Sequence, residues 1–76
     1  MQDSEIKKII EALLFASPDP LTQTKVNNVF DPETPNLKEI AEGLNEQYVE
    51  ENHAFEIKQV AGGYQLVYCK EYEHFI

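Results

Sequence analysis

Between Ser4 and Phe15 the aliphatics Ile6, Ile9, Ile10, Leu13 and Leu14 recur at helical spacing. On a helix of about 3.6 residues per turn they fall within a stripe of roughly 140°. The spacing predicts a first helix, with Asp3 or Ser4 able to cap its first amides. Phe15 falls off the stripe, on the side of Lys8 and Glu11. Either a second element covers it, packing on the next helix for instance, or an aromatic stands exposed. The stretch Ser17-Pro18-Asp19-Pro20 then stops the helix, because proline lacks an amide donor and biases its predecessor toward extended backbone.

"LTQTKVNNVF", from Leu21 to Phe30, reads as a shorter helix. Thr22 suits its N-cap, and Leu21 and Val26 take the two positions of a hydrophobic staple. Asn27 and Asn28 are poor helix formers, which limits it to about two turns. After the loop "DPETP", the segment Asn36–Asn52 carries the strongest helical pattern. Asn36 with Glu39 makes a capping-box spacing, and Leu37, Ile40, Ala41, Leu44 and Tyr48 share one face. "FEIKQVAGGYQLVY", Phe55 to Tyr68, alternates as two strands around Gly62-Gly63. A two-residue Gly-Gly turn pairs Ala61 with Tyr64, Gln59 with Leu66 and Ile57 with Tyr68. That register turns Phe55, Ile57, Tyr64, Leu66 and Tyr68 toward the helices. Glu56, Lys58, Val60, Gln65, Val67 and Cys69 take the other side.

Three helices followed by a two-stranded β-hairpin wing make an α+β winged helix over residues 1–70. Residues 71–76, "EYEHFI", look like the start of a linker or further helix leading to a second domain absent from this chain.

Composition then turns against the usual role of that fold. Fourteen acids face six lysines and no arginine, a net charge of -8. In a DNA-binding helix-turn-helix the second helix of the motif enters the major groove. Here that is Asn36–Asn52, whose outward positions are Lys38, Glu39, Glu42, Glu46 and Glu50. With Glu51, the segment sets one lysine against five acids, a net of −4. Duplex affinity comes chiefly from cations that displace counterions from phosphate. Bidentate reading of guanine also falls to lysine alone. The uncharged wing tip, Ala61-Gly62-Gly63, offers no minor-groove cation. DNA reading by this helix is therefore disfavoured, and a winged helix that does not read DNA points to a protein-interaction module.

No apolar stretch approaches the ~20 residues that span a bilayer, and the first residues lack a signal-peptide pattern. One cysteine, Cys69, forms no internal disulfide, in keeping with a reducing cytoplasm. His53, His74 and Cys69 have no metal-ligand spacing. The glutamates read as solvated, since acid-base work needs a pocket that shifts a pKa. The glycine pair opens no helix, so it is no phosphate loop. Neither catalysis nor a cofactor is expected.

Two stretches together carry a resemblance. "EALLFAS" with a proline shortly after, and "FEIKQVAGGYQL" behind the "LNEQY" helix end, resemble the N-terminal domain of the segregation and condensation protein B (ScpB) family. The similarity runs over nearly the whole chain and is weakest at "NNVFDPETPN". It implies tandem winged-helix domains, of which this chain is the first, homodimerisation, and binding of the kleisin subunit ScpA. Through ScpA it implies association with the ATPase SMC in a cytoplasmic, nucleoid-associated complex for chromosome condensation and segregation. This subunit would then be non-catalytic, with no membrane contact and no sequence-specific contact to nucleic acid. The chain departs from typical members in "YQLVYCKEY", where basic residues often occur.

Val67 and Cys69 make the outer wing face more apolar, which suits burial against a subunit, since charge is depleted at interface centres. Phe15, Val60, Val67 and Cys69 are accordingly the expected protein-interface residues. The competing readings are a winged-helix transcription regulator on DNA and an adaptor that shares only the fold.

Overall fold

The computed structural model describes residues 3–76. Three α-helices, α1 (Asp3–Ala16), α2 (Gln23–Phe30) and α3 (Leu37–Glu50), precede the antiparallel strands β1 (Phe55–Val60) and β2 (Gly63–Tyr68). This is the winged-helix order that the sequence pattern predicts. Ile10 and Leu14 of the α1 stripe are buried, with Ile6, Ile9 and Leu13 packed around them. They meet Leu21, Val26 and Phe30 on one side and Leu37, Ala41, Leu44 and Tyr48 of α3 on the other. Ile57 of β1 closes the core from the hairpin.

Local signals set the helix ends. The Thr22 hydroxyl accepts from the Lys25 amide at 3.1 Å, and the Asn36 side chain accepts from the Glu39 amide at 3.2 Å. Asp3 and Ser4 lie inside α1 rather than ahead of it, so neither serves as its cap. Gln23 adds a tie between α2 and α3 that the pattern did not predict. Its side-chain oxygen accepts from the Leu37 amide at 2.8 Å while its amide group donates to the Pro35 carbonyl at 2.9 Å. Asn52, at φ 56, takes the left-handed conformation that stops α3 and turns the chain into β1.

The hairpin register differs from the expected one by two residues. Val60 pairs with Gly63, Gln59 with Tyr64, Ile57 with Leu66 and Phe55 with Tyr68. The turn is Ala61-Gly62, and only Gly62 needs positive φ, at 85°. Gly63 belongs to the strand because Leu21 lies against it: a Cβ there would stand 2.4 Å from the Leu21 carbonyl oxygen. Leu21 forms a bridge to Tyr64, with N–H···O distances of 2.7 and 2.9 Å in the two directions. A slip of two residues keeps side-chain parity, so the predicted faces survive. Tyr68 is the exception: it is on the helix-side face but beyond the helices, and is 66% exposed. After β2, Lys70–Phe75 forms a short 3-10 helix.

Asn45 docks α3 on the hairpin by imitating a strand. Its side-chain amide donates to the Ile57 carbonyl at 2.8 Å, and its oxygen accepts from the Ile57 amide at 2.7 Å. Asn45→Ala leaves both partly buried backbone groups unpaired and is expected to cost about 1–3 kcal/mol in urea denaturation. Asn45→Asp keeps the acceptor but loses the donor, and is expected to restore only part of that.

Candidate protein-interaction surface

The amphipathic pattern of α3 fixes what the domain presents where a DNA-binding relative would present its reading helix. Leu37, Ala41, Leu44 and Tyr48 are buried, which leaves Lys38, Glu39, Glu42, Glu46 and Glu50 exposed along the opposite side. Four carboxylates against one ammonium repel a phosphate backbone. The surface chemistry of this helix is that of a solvated acidic face, interrupted at one end by Val49, which is 77% exposed.

Apolar exposure concentrates at the open end of the hairpin. Phe15, at the end of α1, is 58% exposed and sets its ring edge-on to Phe55, with centroids 5.6 Å apart. It packs on β1 through that ring pair. Between Phe15, Ala54, Phe55, Leu66, Val67 and Tyr68 lies a groove of about 280 Å³. Phe55 is wedged from behind by Tyr48, at 4.7 Å and 73°, and stacked by His53 at 4.7 Å and 20°. The groove wall is thus fixed by aromatic packing, a geometry that contributes beyond plain area burial.

The four expected interface residues do not form one patch. Phe15 and Val67 line that groove. Val60 lies at the wing tip, beside Gln59, Gly62 and Tyr64 and close to Gln23 and Leu37. Four residues of extended strand, roughly 13 Å, separate it from Glu56, the partner of Val67. Cys69 is a residue past the end of β2, where its amide donates to the Ala54 carbonyl at 2.8 Å. It lines a separate small hollow with Asn45, Tyr48, His53 and Glu56. Burial, and then the carboxylates of Glu56 and Glu71, push its thiol pKa up, away from the thiolate that a nucleophile or metal ligand requires. The Tyr48 hydroxyl donates to Glu11. Burial first, and that carboxylate second, raise its pKa and keep it protonated. Among the described residues no cluster of three or more His, Cys, Asp or Glu side chains could hold a metal ion. No described helix is long and apolar enough to cross a membrane.

A family model described as segregation and condensation complex subunit ScpB matches residues 8–76. The chain belongs to the ScpB family. Segregation and condensation protein B of Clostridioides difficile is 33% identical over 79 aligned residues, which cover 100% of this chain and 44% of that one. A homolog in Coxiella burnetii is 35% identical over 70 residues, covering 87% of this chain and 32% of the relative. This ScpB-family chain therefore spans less than half the length of these curated relatives. In structure, it is similar to a ScpB N-terminal domain solved as a dimer complexed with ScpA peptide. That likeness has a TM-score of 0.79 at 26% identity, over 95% of this chain and 90% of that one.

Tyr68 and Ala54 belong to the groove and were absent from the sequence-based set. Alternation turns Tyr68 toward the helices, but it gives only the side of a sheet, not whether a helix reaches that far along it. The signal that could have found it is its place at the last position of β2, beyond the span of the α1 stripe.

Proposed function

We propose that this domain is a non-catalytic subunit of a bacterial SMC–kleisin complex. In that role it dimerises and binds a ScpA-type kleisin segment during chromosome condensation and segregation. The reading places the protein in the cytoplasm, at the nucleoid only through its complex. The observation that carries it is the solved ScpB N-terminal domain, a dimer with ScpA peptide, to which this chain is similar over nearly its whole length. The acidic outer face of α3 supports protein over DNA as the partner. Phe15 and Val67 at the groove, with Val60 and Cys69 as outlying contacts, are the proposed interface residues. The greater length of the curated relatives supports a second domain following Lys70–Phe75.

Light scattering on this chain, followed by calorimetric titration with a peptide from the central region of ScpA, tests the proposal. A dimer that takes up the peptide is expected. A monomer that ignores it would refute both halves.

A further inference from the structure

We draw no further inference here: the strongest candidate, the apolar groove between Phe15, Phe55, Leu66 and Tyr68 at the open end of the hairpin, carries nothing further, because a second copy or a ScpA segment seated there would restate an established property of the ScpB family and nothing in the structure shows any other occupant.

Discussion

Gly63→Ala is expected to destabilise the domain by about 3–5 kcal/mol, combining overpacking with loss of two bridge hydrogen bonds worth about 1 kcal/mol each. The new Cβ would lie 2.4 Å from the Leu21 carbonyl oxygen and 2.9 Å from its carbon. Both are backbone atoms, so no rotamer change relieves the overlap. Leu21 itself is fully buried, and the bridge to Tyr64 is what ties the chain between α1 and α2 to the wing. A domain of this size holds about 4–11 kcal/mol in total, so the variant should populate unfolded chain without denaturant. Gly62→Ala, one residue earlier, meets nothing within 4 Å and disturbs only a backbone at φ 85°. Its cost is expected to be about 1 kcal/mol. Urea midpoints for the two variants measure the difference, and equal midpoints would contradict the assignment of Gly63 to the strand.

Ile10→Ala is the second large effect. Ile10 is completely buried between α2, α3 and the hairpin. Removing its branched side chain is expected to cost about 2–5 kcal/mol, from lost transfer energy and the cavity left behind. Phe15, five residues on in the same helix, is 58% exposed and should lose under about 1 kcal/mol as Phe15→Ala. The two variants separate stability from association. Ile10→Ala should shift the unfolding midpoint, whereas Phe15→Ala should leave the midpoint in place and raise the dimer dissociation constant. A Phe15→Ala variant that unfolds as easily as Ile10→Ala would mean that the groove is part of the core.

Periodicity made most of this fold legible. The α1 stripe, the buried face of α3 and the caps at Thr22 and Asn36 are local, and each is decided by residues a turn apart. The hairpin faces were equally local, because side-chain parity survives a slip of two residues. The register was not, because Gly-Gly satisfies two alternative turns. The choice between them is made by Leu21, more than forty positions away, whose carbonyl needs a glycine opposite it. The same reasoning separates the groove from the four residues chosen for it. Outward parity and apolar character describe Val60, Val67 and Cys69 alike. Only the docking of α1 at the open end of the hairpin puts Val67 beside Phe15 and leaves Val60 at the far tip. Gln23 and Asn45 carry no sequence signature at all, since their value lies in which backbone groups happen to be within reach.

The central claim is that a winged helix with an acidic third helix engages polypeptide, not duplex DNA. Fluorescence anisotropy of a labelled duplex, titrated with this chain from low to physiological salt, tests it most directly. Lys38 standing against Glu39, Glu42, Glu46 and Glu50 implies no measurable binding at physiological salt. Tight capture that falls steeply as salt rises would contradict it.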